Sequence, residues 1–352
     1  MSPSILFFLS SGLFLGWSLG ANDAANVFGT AVGSRMIRFG TAAVICSLCL
    51  VLGAVVGGAG AAHGLGKLGQ ISTLAGAFTV ALSAATTVMW MTRAGLPVST
   101  SQAIVGAIIG WNLFSDITTD KAVLSKIALT WVACPILGAV FAMVLYQLLK
   151  GCIYWFKPHL LRQDQLTRYG LMLAGALGSY SLGANNIGNV MGVFVPCSPF
   201  TDVALPNGWI LTSTQQLFLI GGLAISVGVF TYSKKVMLTV GDSLMPLTPI
   251  AALVVVIAHS LVLFVFSSTW LSELFVSWGL FQIPLIPVSS SQAVIGAVIG
   301  IGMLHGLKGV RQIRWSVLLN IAGGWIITPI AAALMCFIML YVMQNVFNQV
   351  VQ

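Results

Sequence analysis

The chain has 352 residues, of which 58% are hydrophobic and only 6% are charged, and its formal net charge is +8. A soluble domain carries about 25% charged residues, so this composition, with a mean hydropathy of +1.01, excludes an ordinary soluble protein. The basic residues lie between apolar runs, where positive charge orients a membrane protein. We therefore expect an all-α polytopic membrane protein with the lipid bilayer as a partner and no nucleic-acid partner.

Apolar runs recur along the whole chain, and a helix needs about 20 apolar residues to cross a bilayer. The runs lie at 5–19, 41–62, 73–91, 127–149, 171–195, 217–232, 250–266 and 315–342. They predict roughly ten to twelve membrane segments, some of them broken or re-entrant. No basic residue precedes the first run and polar residues follow it at once, so it is predicted to be a membrane span and not a cleaved signal peptide.

A first polar motif occurs twice, as GANDAAN at 20–26 and GANNIGN at 183–189. Polar groups at membrane depth are costly, so a functional site is the first interpretation and hydrogen bonding between helices is the alternative. Amide, carboxylate and carbonyl oxygens suit a desolvated alkali cation, and the glycines predict that each helix unwinds here to expose carbonyls. The candidate cation-binding residues are Asn22, Asp23, Asn185 and Asn186, with sodium expected at Asp23, Asn22 and Asn185.

A second motif also occurs twice, as PVSTSQ at 97–102 and PVSSSQ at 287–292. Proline followed by Ser or Thr is typical of the first turn of a helix, and a helix N-terminus with free N–H groups attracts anions. Two such ends can converge on one tetrahedral oxyanion, held by neutral donors and a co-bound cation. Ordinary capping without a ligand is the alternative. The candidate anion-binding residues are Ser99, Thr100, Ser101, Gln102, Ser289, Ser290, Ser291, Gln292, Asn26 and Asn189.

The order and spacing of these motifs indicate a duplication. The offset is 163 for the first motif (185 − 22), 190 for the second (287 − 97) and 194 for a Trp-x-x-x-Pro pattern (325 − 131). We expect a first repeat at 1–150, a basic linker at 151–168 and a second repeat at 169–352, with an insertion of 27 residues (190 − 163) near 195–232. Polar patches duplicated in an apolar chain are typical of transporters built from inverted repeats.

The basic linker sets the expected orientation. Between Lys150 and Arg168 four basic residues stand against Asp164, a net +3 (4 − 1), which places the linker in the cytoplasm and the N-terminus outside a plasma (inner) membrane. The two halves then start on opposite sides, as inversion requires. The sequence leaves a homodimer open.

Taken together, the motifs resemble those of the inorganic phosphate transporter (PiT) family of cation-coupled phosphate symporters, over nearly the whole chain. The resemblance implies inverted repeats, phosphate bound near the bilayer centre, a sodium or proton gradient as the driving force, and alternating access. It also implies that Asn22, Asp23 and Asn26, with their counterparts in the second half, line the cation and phosphate sites. No cofactor is expected.

One residue departs from the family pattern, because Asn186 stands where the family usually has a second aspartate. A site with one carboxylate less is expected to hold fewer or more weakly bound cations. Monohydrogen phosphate needs a proton acceptor, whereas sulfate needs donors alone. Asp23 can still accept that proton, so phosphate is the first choice and a sulfate permease of the same fold is the alternative.

Other classes of function find less support in the sequence. A membrane enzyme lacks a metal-spaced cluster, a nucleophile elbow and a second carboxylate, and an ATP-driven pump lacks a phosphate-binding loop. An anion channel stays open, although its polar lining is usually continuous. The six cysteines are expected to be core residues, and His63 a loop or interface residue. His259 is expected to be a hydrogen-bonded core residue, with a proton relay as the alternative. Glu273 is expected to be an interfacial acid, with a place at the entry to the site as the alternative, and Asp242 a helix cap, with a supporting contact to the site as the alternative.

Overall fold

The computed structural model describes residues 3–93, 98–204, 206, 208, 210–237 and 247–352, and it is 80% helical. The helices are α1 (Pro3–Gly33), α2 (Phe39–Gly57), α3 (Ala59–Gly66), α4 (Leu74–Arg93), α5 (Thr100–Phe114), α6 (Lys121–Phe156), α7 (Leu160–Met191), α8 (Ser213–Thr231), α9 (Pro249–Ser267), α10 (Thr269–Ser277), α11 (Ser290–Leu304), α12 (Gly306–Gln312) and α13 (Trp315–Asn345). A short 3-10 helix covers Gly192–Phe194, and β1 (Val203–Ala204) pairs antiparallel with β2 (Ile210–Leu211).

Within the described residues, seven helices are long and apolar enough to cross a membrane: α1, α2, α4, α6, α8, α9 and α13. The 32-residue α7 and the two 15-residue helices α5 and α11 raise the number of candidate segments to ten. The expected polytopic helical fold, with short helices among the full spans, is therefore confirmed.

Helices of the two halves pack in matched pairs. α1 packs on α8 as α7 packs on α2, and α5 packs on α13 as α11 packs on α6. α1 and α7 are antiparallel, because Gly12 faces Met191 near one end of the pair and Phe28 faces Gly175 near the other. Equivalent helices that exchange partners and run in opposite directions are what an inverted duplication predicts.

Two helical hairpins interrupt the full spans, and each has a short second arm. α4 ends beside the middle of α1, where Asn22 Nδ2 donates to Thr92 Oγ1 at 3.0 Å. α5 then returns towards the start of α4, because Asn112 Nδ2 donates to the carbonyl of Leu68 at 2.9 Å. α9 and α11 form the second hairpin and pack against each other in the same way. The first hairpin's connecting residues 94–97, which include Pro97, lie outside the described residues, as does Asp242.

The expected unwinding at the first motif is wrong, because α1 and α7 run as continuous helices through Asp23 and Asn186. The glycines serve close packing instead. A Cβ at Gly20 would collide with the carbonyl oxygen of Ile225, and one at Gly183 with that of Leu50. The chain breaks at the second motif, where each short hairpin arm begins.

The junctions between elements differ from the expected boundaries. The connection between the halves is only 157–159, since α6 ends at Phe156 and α7 begins at Leu160. The matched contacts of Ile225 and Leu50 make α8 the counterpart of α2, with an offset of 175 (225 − 50). We infer that 12 extra residues (175 − 163) lie between α7 and α8 and 15 (190 − 175) between α9 and α11, so the apolar run at 217–232 is not an insertion.

Candidate functional site

A chain of hydrogen bonds crosses the interface between the two halves, at the point where both hairpin tips meet α1. Thr100 Oγ1 donates to Asp23 Oδ2 at 3.2 Å. Asn26 Nδ2 donates to Asp23 Oδ1 at 3.3 Å and to Ser290 Oγ at 3.2 Å. His259 Nε2 lies 2.9 Å from the same Ser290 Oγ. All five side chains are buried, so residues from α1, α5, α9 and α11 form one polar site inside an apolar protein.

Local sequence explains why the short helices begin at this site. Ser99 has an extended backbone, and its Oγ accepts the backbone N–H of Gln102 at 3.4 Å, which satisfies one of the free donors of the first turn. Ser101 Oγ lies 2.9 Å from Ser99 Oγ. The same arrangement recurs at 289–292, with distances of 3.3 and 3.1 Å. The predicted helix starts at both second motifs are confirmed.

The charge in the site belongs to Asp23, whose side chain is only 3% exposed. Among the described buried polar residues it is the one carboxylate, and no Lys or Arg accompanies it. A buried carboxylate is costly unless a positive charge compensates it. The site is therefore suited to bind a small cation at Asp23 or to take up a proton there.

The counterparts in the second half carry unused hydrogen-bonding groups. Asn189 Nδ2 donates to Asn186 Oδ1 at 2.8 Å, as Asn26 does to Asp23. Asn186 Nδ2 and Asn189 Oδ1 have no protein partner, and neither do Gln102 Oε1 and Gln292 Oε1. Because buried polar groups are almost always paired, these four unpaired atoms on the two duplicated motifs are candidate contacts for a polar ligand.

The two remaining candidates of the first motif face away from this chain of hydrogen bonds. Asn22 is half-buried, and its Nδ2 donates to the Ser18 carbonyl and to Thr92 Oγ1. Asn185 is fully buried and braces the chain before α11: its Nδ2 donates to the Ile286 carbonyl at 3.2 Å, and its Oδ1 accepts from Val288 N at 2.8 Å. These contacts favour a bracing role for Asn185, since both polar atoms are occupied.

Replacing Asn185 with Ala is expected to lower stability and to slow transport. The change leaves the Ile286 carbonyl and the Val288 N–H buried without a partner, at a cost of about 1–3 kcal/mol each. The melting temperature of the purified protein in detergent measures the effect. Asn345→Ala is the matched control, because Asn345 bonds the Tyr341 carbonyl on an exposed surface. Equal melting temperatures for the two variants would contradict the bracing role.

The sequence favoured a core role for His259 over a proton relay, and His259 was not among the predicted site residues. It lies outside both motifs in an apolar run, and this position favoured a hydrogen-bonded core residue. In the structure it lies on α9 and is fully buried and hydrogen-bonded. Its partner, however, is Ser290 of the second motif. The one available signal was that an ionisable side chain lies within a predicted membrane span.

Two cavities lie near opposite ends of α2. The first, of about 50 Å³, is lined by Asn22, Arg93 and Tyr232. It lies near the start of α2, because Lys234, two residues after Tyr232, has its Nζ 5.9 Å from the ring centre of Phe39. The second, of about 420 Å³, includes Glu273, Ser272 and Leu285, and Leu285 packs on Gly60 and Gly64 just beyond the end of α2. Neither cavity is lined by Asp23 or Ser290.

A helical membrane protein whose two halves bring hairpin tips and a buried carboxylate to one polar site belongs to the class of membrane transport proteins. The sequence profile of the phosphate transporter family matches residues 19–336. The chain belongs to the phosphate transporter family, which confirms the resemblance carried by its motifs.

Relatives agree with this membership, and a solved structure shares the fold. A candidate phosphate permease of Methanocaldococcus jannaschii is 27% identical over 95% of this chain and 96% of its own, and one of Pyrococcus furiosus is 25% identical over 94% of each chain. A solved structure described as the sodium-dependent phosphate transporter shares the fold, with a TM-score of 0.74 and 24% identity over 97% of this chain and 99% of that one.

Proposed function

We propose that this protein imports inorganic phosphate together with a cation by alternating access. The observation that carries the proposal is the chain of hydrogen bonds from Thr100 through Asp23 and Asn26 to Ser290, which joins a lone buried carboxylate to the N-terminal ends of two helices. A carboxylate binds a cation, and helix N-termini with hydroxyl donors bind an oxyanion. Cation and anion can thus occupy adjacent positions and compensate each other's charge.

Coupling follows from that proximity. A cation at Asp23 raises the positive potential at Thr100 and Ser290, so each ion increases the affinity for the other by the same factor. Without lysine or arginine in the site, the anion is held only while the cation is present, and release of one favours release of the other. A structural neighbour named as sodium-dependent supports sodium as the first cation to test, with the proton as the second.

Alternating access fits the arrangement of the halves. The site residues are buried and a cavity lies towards each end of α2, which supports an occluded state in the proposed cycle. Matched packing of the halves gives two related ways to open, one hairpin towards each side. We propose an orientation with α1 starting outside and residues 157–159 in the cytoplasm of a plasma membrane. An inward gradient of the coupled cation then makes the direction of transport inward.

Uptake into proteoliposomes tests the proposal directly. Purified protein is reconstituted, and uptake of labelled phosphate and of labelled sulfate is measured with a sodium gradient and a proton gradient imposed separately. Saturable phosphate uptake driven by either gradient is expected and identifies the coupling cation. Uptake that rises linearly with concentration and ignores both gradients would indicate a channel, and uptake of sulfate alone would replace phosphate as the substrate.

Asn186→Asp is expected to raise the ratio of phosphate to sulfate uptake. The substitution adds a second carboxylate at the position equivalent to Asp23 in the second half. A carboxylate can accept the proton of monohydrogen phosphate, whereas sulfate has no proton to offer. One good charge-assisted hydrogen bond is worth about 1.5–3 kcal/mol, so we expect a change of about tenfold or more in the ratio. Asn345→Asp on the exposed end of α13 is the matched control. An unchanged ratio would show that Asn186 does not take part in anion selection.

A further inference from the structure

His259 lies at the end of the chain of hydrogen bonds that begins at Thr100, and the proposed function assigns it no role. It lies on α9 with no exposed surface, its Nε2 is 2.9 Å from Ser290 Oγ, and its Nδ1 has no partner. Among the described buried residues it is the one side chain that can become positively charged. It therefore lies where a positive charge would act on the anion.

The state of the His259 ring controls what the Ser290 hydroxyl can do. A hydroxyl has one hydrogen and two lone pairs. Asn26 already donates to one lone pair. When His259 Nε2 carries no proton, it accepts the Ser290 hydrogen, and the hydroxyl has nothing to give to an anion. When Nε2 carries a proton, it donates to the second lone pair, and the Ser290 hydrogen is free to bond an anion oxygen. Both the neutral Nε2–H tautomer and the doubly protonated ring do this, but only the doubly protonated ring also places a positive charge beside the anion.

The two hairpin tips differ at this position. Thr100 bonds Asp23, whereas Ser290, its counterpart, bonds His259. The offset of 175 between α2 and α8 also relates the first residues of the hairpins' long arms α4 and α9 (249 − 74). It places Ala84 at the position equivalent to His259 (259 − 175). One tip thus contacts an acid and the other a base, and the base belongs to the second half, in which Asn186 stands in place of a second aspartate. A proton on His259 supplies positive charge where the site has fewer ligands for a metal cation.

The other ionisable groups on the helices packed around α9 lie elsewhere than at Ser290, which His259 contacts. α1 presents Asp23, at the other end of the chain of hydrogen bonds, and α6 presents the Cys134 thiol beside Ser289. The buried stretch of α7 contains Tyr180, which packs on Gly57 of α2, and α11 has no ionisable side chain. On α3, His63 is exposed.

We propose that His259 takes up a proton from water when the anion binds, so that the oxyanion is carried with a proton on His259 in addition to the cation at Asp23. This inference rests on the proposed function and specifies a second coupling ion. Proton and anion binding reinforce each other. Affinity for phosphate therefore rises as the pH falls, through a group that belongs to the protein.

His259→Gln separates this group from the titration of phosphate itself. The Gln amide can donate to Ser290 in place of Nε2–H but takes up no proton. We measure phosphate affinity at fixed sodium concentration between pH 5.5 and 8.5 for wild type and variant. Because phosphate titrates identically in both, the ratio of the two affinities isolates His259; one coupled proton changes it by up to about tenfold per pH unit. His63→Gln is the matched control and keeps the wild-type profile. A constant ratio for His259→Gln would overturn the proposal.

A second measurement leaves His259 unchanged, in case the Gln variant does not fold. The triple variant His63→Gln, His159→Gln, His305→Gln retains His259 as the one histidine of the four in the chain. Its ¹⁵N-labelled ring is observed by NMR at pH 7.5 with sodium, before and after addition of phosphate. A change from a neutral to a doubly protonated ring is expected. Phosphate binding with a ring that stays neutral would refute the role of His259 and leave the proposed function intact. Wild-type protein that binds no phosphate at any pH would refute the proposed function.

Discussion

Asp23→Asn is expected to abolish cation-dependent phosphate uptake while the protein stays folded. Asn has the shape of Asp, and its Oδ1 can still accept from Asn26, so the contacts of α1 change little. The charge is lost, however, and Asp23 is the one buried carboxylate among the described residues. Removing one partner of a buried ion pair costs about 3–5 kcal/mol, which corresponds to a loss of cation affinity of at least about 100-fold.

The measurement compares initial uptake rates at increasing sodium concentration and at fixed phosphate, in proteoliposomes with equal amounts of protein. Asp164→Asn is the matched control, because Asp164 is exposed near the start of α7 and makes no contribution to the site. Elution as a single symmetrical peak in gel filtration verifies that the variant is folded. Uptake by Asp23→Asn with the sodium dependence of wild type would refute the cation site.

The features that could be predicted from the sequence are those that depend on composition or on local chemistry. Low charge and high hydropathy predict membrane helices whatever the arrangement of those helices in the fold. Ser99 and Ser289 could be predicted as helix caps because the interaction that they make is with a backbone N–H three residues away. The duplication of both motifs is visible in the sequence itself, and the exchange of packing partners between halves agrees with it.

The features that could not be predicted depend on contacts distant in the sequence. Gly20 and Gly183 suggested flexible helices, because glycine permits unwinding and close packing alike. Only the position of Ile225 and Leu50 decides between the two. His259 presents the same difficulty: Ser290 is 31 residues further along the chain, and α10 and the tip of the second hairpin lie between them.

The separation of neighbouring motif residues is a further consequence of helical geometry. Adjacent residues on a helix point about 100° apart, so Asn22 and Asp23 cannot face the same point once α1 is continuous. Asp23 and Asn26 are three positions apart and do share a face. The spacing of the motif therefore supports the pair Asp23 and Asn26, and in the second half the pair Asn186 and Asn189, more strongly than a cluster of adjacent asparagines.

Gly183→Ala is expected to destabilise the protein and to stop transport, although it adds only one methyl group. The new Cβ would collide with the Leu50 carbonyl oxygen and lie 3.0 Å from Ala54 N, and neither backbone atom can rotate away. α7 and α2 must then separate along one of the main interfaces between the halves. Overpacking of this kind costs about 1–3 kcal/mol or more.

The displacement also affects the site, because α7 carries Asn186 and Asn189 one and two turns beyond Gly183. Gly323→Ala on α13 is the matched control: no atom lies within 4 Å of its added Cβ, and the change from Gly to Ala within a helix stabilises by about 0.5–1 kcal/mol. Melting temperatures in detergent should therefore move in opposite directions, downwards for Gly183→Ala and slightly upwards for Gly323→Ala. A Gly183→Ala protein with the melting temperature and uptake rate of wild type would show that α2 and α7 are not held in contact, and that the glycines permit movement of the helix after all.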